Sequence, residues 1–113
     1  MLDVSIEFDI AGELFTFPED AVVLIAEELR RIKTNDEEGD EEATALADKL
    51  ERRLVGVSDG PVRVTRRNAV TILRRKSLDA LAVGPYRMPA RNMLRAITET
   101  VDVLPLVDPS DPV

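Results

Sequence analysis

The stretch that decides the fold is Val4-Ser5-Ile6-Glu7-Phe8-Asp9-Ile10-Ala11-Gly12-Glu13-Leu14-Phe15-Thr16-Phe17. Val4, Ile6, Phe8 and Ile10 alternate with Ser5, Glu7 and Asp9, the period-two pattern of a strand with one buried and one wet face. Gly12, after Ala11, supplies the positive φ of a tight turn. Leu14 to Phe17 then reads as a second strand, with Phe15 and Phe17 on one face. Residues 3–17 therefore predict a β-hairpin. Two strands alone are marginal in water, so a helix must cover their apolar face.

The next residues supply that cover. Pro18 suits a first helical position, and Glu19 and Asp20 complement the positive end of the helix dipole. Val22, Ile25, Leu29 and Ile32 fall on one stripe, widened by Ala21 and Leu24, which predicts a helix over 18–33. Phe8, Phe15 and Phe17 are expected to pack against Val22, Ile25 and Leu29. Thr34 to Gly39 end this helix. Asp40 is read as the cap of the next one, with Glu41 and Glu42 in its first turn. The stripe of that helix is Ala43, Leu46, Ala47, Leu50 and Leu54, and Gly56 stands where a C-terminal cap belongs.

Beyond the Ser58-Asp59-Gly60-Pro61 turn, Val62-Arg63-Val64 is a candidate third strand for an edge of the hairpin. Thr65 caps a third helix containing Ala69, Val70, Ile72 and Leu73. Residues 77–82 either extend it or restart as a separate turn, and Gly84-Pro85 stops it. Pro89 begins a fourth helix with the stripe Ala90, Met93, Ile97, Val101 and Leu104. The fold class is α+β: an N-terminal hairpin, with a short third strand at 62–64, against about four short helices. Residues 1–104 form one globular domain, and 105–113 form a Pro-rich acidic tail.

Composition agrees with one small domain. The chain has 113 residues, 44% of them apolar, and its aromatics are Phe8, Phe15, Phe17 and Tyr86. There is no cysteine, so there is neither a disulfide framework nor a thiolate metal site. The acidic, alternating start is unlike a signal peptide, and no apolar run approaches the roughly 20 residues that span a bilayer. A cytoplasmic protein without a membrane segment is expected.

Charge is arranged in blocks. Residues 1–54 carry a balance of −10, residues 55–96 of +7 and residues 97–113 of −4, giving a net charge of −7. Such blocks suit internal pairing, head-to-tail association or a basic face for an acidic partner.

Histidine is absent as well as cysteine. Ser-His, Cys-His and imidazole-zinc arrangements are therefore excluded. The carboxylates cluster in a turn and on helix faces, which does not suit paired-carboxylate hydrolysis. No catalytic residue and no cofactor site is assigned, and the chain is not expected to be an enzyme. The run Asp36-Glu37-Glu38-Gly39-Asp40-Glu41-Glu42 fails as an EF-hand loop. With Gly39 at position 6, Thr34 falls at position 1 and Ala45 where the bidentate glutamate is required. No metal site is assigned, and the run is read as a solvated connection. The five glycines lie singly, so no phosphate-binding loop is present.

The candidate partner-binding residues are Arg63, Arg66, Arg67, Arg74, Arg75, Arg87, Arg91 and Arg95. The last three stand four apart at the start of the fourth helix and form one ridge. A helix-turn-helix does not fit, because its recognition helix would contain Gly60 and Pro61. Tyr86 is the one aromatic nearby for base stacking. These residues point to a non-catalytic protein–protein interaction module: an accessory, regulatory or immunity-type small protein. Its partner is another protein, or the same chain as a homo-oligomer. The arginines are expected to meet carboxylates of the first half or of a neighbouring chain. The alternative is a nucleic-acid-binding regulator using segment 63–95.

Overall fold

The computed structural model describes residues 5–31, 36–82 and 84–106. Val4, Ile32 and the tail beyond Leu106 lie outside the described residues. Strands β1 (Ser5–Ile10) and β2 (Glu13–Pro18) are followed by helices α1 (Glu19–Arg31) and α2 (Glu37–Leu54). Strand β3 (Val62–Arg63), helix α3 (Arg66–Arg75), a 3-10 turn (Ser77–Leu81), helix α4 (Arg87–Thr100) and a second 3-10 turn (Val101–Val103) follow among the described residues. The fold is α+β, a small N-terminal sheet against four helices, as the sequence predicts.

The sheet order is β2-β1-β3. β1 and β2 pair antiparallel with Phe8 opposite Phe15 and Ile6 opposite Phe17. Ala11 and Gly12 both take positive φ, 54° and 90°, the signature of a two-residue primed turn whose twist matches the strands. The Asp9 carboxylate accepts from the Gly12 amide at 2.8 Å and braces that turn. β3 joins the other edge of β1 in parallel, Phe8 opposite Val62. The alternation works as written: Ile6, Phe8, Ile10 and Phe17 are buried, while Ser5, Leu14 and Thr16 are exposed on the other face.

α1 is the central helix. It packs on the sheet, on α2 and on the turn at 77–81, and α4 packs on β1 and β2. Its buried residues are Ala21, Val22, Ile25, Ala26 and Leu29. Leu24 is 40% exposed, correcting its place in the stripe, because a residue two positions from Val22 faces away from it. Pro18 is the last residue of β2, opposite Ser5, and does not open the helix. The core is one cluster, with the Phe8 and Phe17 rings edge-to-face at 5.7 Å and Phe15 packed half-buried beside them.

α2 begins earlier than the sequence suggests. Its cap is Asp36, whose carboxylate accepts from the Gly39 amide at 3.2 Å. Asp40 is already helical and turns to α3. At the other end, the Gly56 amide donates to the Arg53 carbonyl and the Val57 amide to the Arg52 carbonyl. With Gly56 at φ 81° this is a complete Schellman ending. α3 opens on a capping box between Thr65 and Asn68. Lys49 of α2 donates to Asn68 Oδ1 at 2.9 Å and to the Arg63 carbonyl at 2.7 Å, tying that box to α2. Lys76 at φ 51° ends α3, so residues 77–81 restart as a separate turn. No helix among the described residues is long and apolar enough to cross a membrane.

Candidate functional site

The eight arginines singled out in the sequence do not share one face. Four of them, from Arg63 to Arg75 and excluding Arg74, are engaged within the chain. Arg67 pairs with Glu42, and Arg75 Nη2 donates to Asp40 Oδ1 at 2.7 Å. Arg66 donates to the Val101 carbonyl at 3.2 Å and to the Asp102 carbonyl at 2.7 Å, and its amide donates to the Pro105 carbonyl at 2.7 Å. It thereby fastens residues 101–105 to the start of α3. Arg63 lies at the end of β3, with its carbonyl held by Lys49.

These contacts line a groove of about 860 Å3 between α2 and α3 whose walls carry both signs of charge. Asp36 and Glu42 line it opposite Arg67, Arg74 and Lys76. Gly39 belongs to this seam for a steric reason. A Cβ there would sit 2.5 Å from Asp36 Oδ2 and 2.9 Å from Arg75 Nη2. Glycine thus lets the Arg75 guanidinium lie against the first turn of α2. The acidic run is accordingly a capping and pairing device: Asp36 holds the helix amide and Asp40 holds Arg75. Among the described residues, no group of three or more acidic side chains is placed to hold a metal ion.

Elsewhere, Arg30 of α1 pairs with Glu51 at 2.9 Å and with Asp48 of α2, and these two carboxylates raise its pKa above the ordinary guanidinium value. Four carboxylates of α2, Asp40, Glu42, Asp48 and Glu51, are therefore engaged with α1 and α3.

The α4 arginines stand apart from this network. Arg87, Arg91 and Arg95 are all exposed. Their spacing puts them on one ridge about 12 Å long at 1.5 Å per residue. Among the described residues no carboxylate lies within ion-pair distance of any of the three, so the expected pairing with the first half of the chain is not made. Arg87 is the first residue of α4, the helix has no acidic residue in its first turn, and Tyr86 gives no side-chain cap. A cation at that end opposes the helix dipole. Met88, 58% exposed, and Asn92, also exposed, flank the ridge. Tyr86 fixes the start of α4 by donating its hydroxyl to Asp20 Oδ2 of α1 at 3.0 Å.

The sequence showed the α4 ridge through its four-residue spacing. It did not show the roles of Asp36, Gly39, Asp40 and Lys49 in the α2–α3 seam. The one signal in reach was a glycine three residues after an aspartate, the geometry of a cap rather than a break.

Against known protein families, curated proteins and solved structures, the chain finds no match.

Proposed function

We propose that this chain is a non-catalytic protein–protein interaction module of the cytoplasm, an accessory, regulatory or immunity-type small protein, that binds an acidic protein surface through α4. The observation that carries this reading is the row Arg87, Arg91 and Arg95, exposed and without ion pairs among the described residues, while Arg30, Arg67 and Arg75 are paired with carboxylates of α2. A cation at the first position of a helix works against the helix, by about 0.3–1 kcal/mol. Carboxylates of a partner would reverse that sign. The ridge also has the composition of an interface, because arginine and methionine are enriched at protein–protein contacts. Such a row steers encounter with an oppositely charged surface and supplies arginine anchors.

A second reading is favoured by the same lack of in-chain pairing: unpaired arginines suit phosphate as well as carboxylate. Against it, the net charge of −7 opposes approach to a polyanion, and Tyr86, the one aromatic beside the row, is half-buried with its hydroxyl held by Asp20.

A gel shift at low salt separates the two. The protein-binding reading expects no shift of duplex DNA or RNA by either the wild type or the Arg87→Glu/Arg91→Glu/Arg95→Glu variant. Tight wild-type binding that disappears in the variant, and weakens steeply with salt, establishes the nucleic-acid reading in its place.

A further inference from the structure

A feature other than the α4 arginine row bears on association: the outer edge of the sheet, on the strand against which α4 packs. β2 is an outer strand, since the order is β2-β1-β3. The direction of its free backbone groups follows from the ladder. The Val64 amide donates to the Asp9 carbonyl at 3.0 Å, so Asp9 turns its backbone toward β3. In an antiparallel pair the bonded positions alternate, so Ile10–Glu13, Phe8–Phe15 and Ile6–Phe17 exchange the bonds of the hairpin. The amides and carbonyls of Leu14 and Thr16 must then point outward. Among the described residues nothing pairs with them.

Natural sheets protect such an edge with charge, proline, a bulge or a covering element. Here the two outward residues are uncharged, Leu14 is 50% exposed and Thr16 is exposed. Glu13 and Pro18 stand only at the ends.

We propose that this edge is a homodimer interface, in which β2 pairs antiparallel with β2 of a second copy about a two-fold axis at Phe15. In that register Leu14 lies opposite the partner's Thr16, and Thr16 opposite the partner's Leu14. All the outward amides and carbonyls of both residues are then bonded, four hydrogen bonds in total by the geometry of the ladder. Pro18, which has no amide hydrogen, falls just past the last bonded pair. Phe15, half-buried in the single chain, meets its own copy at a non-bonded site, where cross-strand side chains come closest. Glu13 faces the partner's Phe17, so no like charges oppose one another. The occupant is a second copy because this self-pairing satisfies the edge without a leftover donor and covers Phe15. The two three-stranded sheets become one of six strands.

Each copy carries a net charge of −7, so the two repel at long range. Screening by salt therefore tightens this dimer, whereas it loosens any contact made through the α4 arginines.

Sedimentation velocity across micromolar to millimolar protein, at low and high salt, tests the proposal on the full chain. The wild type is expected to double in mass with concentration, more readily at high salt. Thr16→Pro removes one outward amide and leaves the bonds to β1 intact. Leu14→Lys places a cation beside Asp9 of the same chain and strips the apolar contact. Each should weaken association at least tenfold. Amide exchange at Leu14 and Thr16 should slow as the wild-type concentration rises. A wild type that stays monomeric throughout overturns the proposal. So does a dimer that survives the variants, or one that weakens with salt. Should Thr16→Pro fail to fold, Leu14→Lys decides alone.

Discussion

Arg75 donates from Nη2 to Asp40 Oδ1 at 2.7 Å, joining α3 to the first turn of α2, with the guanidinium side chain 7% and the carboxylate side chain 21% exposed. The pair lies 35 residues apart in sequence and sets how the second half of the chain sits on the first. Its value lies between that of an exposed ion pair and a fully buried one. Asp40→Ala is expected to cost about 2 kcal/mol, because it leaves a buried guanidinium short of an acceptor. The urea midpoint should fall at unchanged slope. A change below about 0.5 kcal/mol would mark the pair as a surface contact.

Gly39 sets up an opposition between local preference and tertiary packing. Alanine is favoured over glycine in a helix by about 1 kcal/mol. Yet the new Cβ would meet Asp36 Oδ2 at 2.5 Å and Arg75 Nη2 at 2.9 Å. Gly39→Ala is therefore expected to lower the melting temperature, through loss of the Asp36 cap and displacement of Arg75. A raised melting temperature would mean that both side chains move aside without loss.

The three phenylalanines should separate by burial. Phe17 is 0% exposed and stacks edge-to-face on Phe8, while Phe15 is only half-buried. Phe17→Ala is expected to cost about 3–5 kcal/mol. Phe15→Ala should cost about half as much, in keeping with the smaller area it removes from water. Equal losses in chemical denaturation would place the two rings at equal depth.

Short-range interactions are written in the sequence, and long-range ones are not. The Ile6, Phe8, Ile10 alternation, the Thr65 cap and the Gly56 ending are local signals, and each forms where the sequence puts it. The start of α2 is different. Asp36 and Asp40 are both capping residue types, and the Arg75 that pairs with Asp40 comes from another helix, out of reach of a local reading. Parallel pairing of β3 with β1 is likewise a matter of the connection through α1 and α2, not of Val62 and Arg63 themselves. For the site, a four-residue spacing placed Arg87, Arg91 and Arg95 on one ridge. Charge balance suggested in-chain partners for them, but the α2 carboxylates that form ion pairs, Asp40, Glu42, Asp48 and Glu51, meet Arg75, Arg67 and Arg30 instead.

Tyr86 offers a spectroscopic reading of the α1–α4 contact, being the one tyrosine in a chain without tryptophan. The hydrogen bond to Asp20, then burial and the charge of Asp20, raise its pKa above 10.0. A raised value means that the folded state holds the proton more tightly than the unfolded one. The stabilisation from this contact is complete below pH 10 and is lost as the pH climbs through the raised value. Titration by phenolate absorbance should show Tyr86 ionising later in the folded protein than in urea. Asp20→Asn should move it back. Identical curves would show that the hydroxyl does not meet Asp20.

Whether the α4 arginines serve a protein partner rather than the fold is decided by affinity capture from nuclease-treated extract of the native host. Wild type and the Arg87→Glu/Arg91→Glu/Arg95→Glu variant are immobilised side by side, after circular dichroism has established that the variant keeps the wild-type fold. Removing a cation from the first position of α4 should leave the variant at least as stable as the wild type. The wild type is expected to retain a protein in fixed ratio that high salt releases, and the variant to retain none. Capture unchanged by the triple substitution, or retained material that vanishes once nuclease is added, would contradict it.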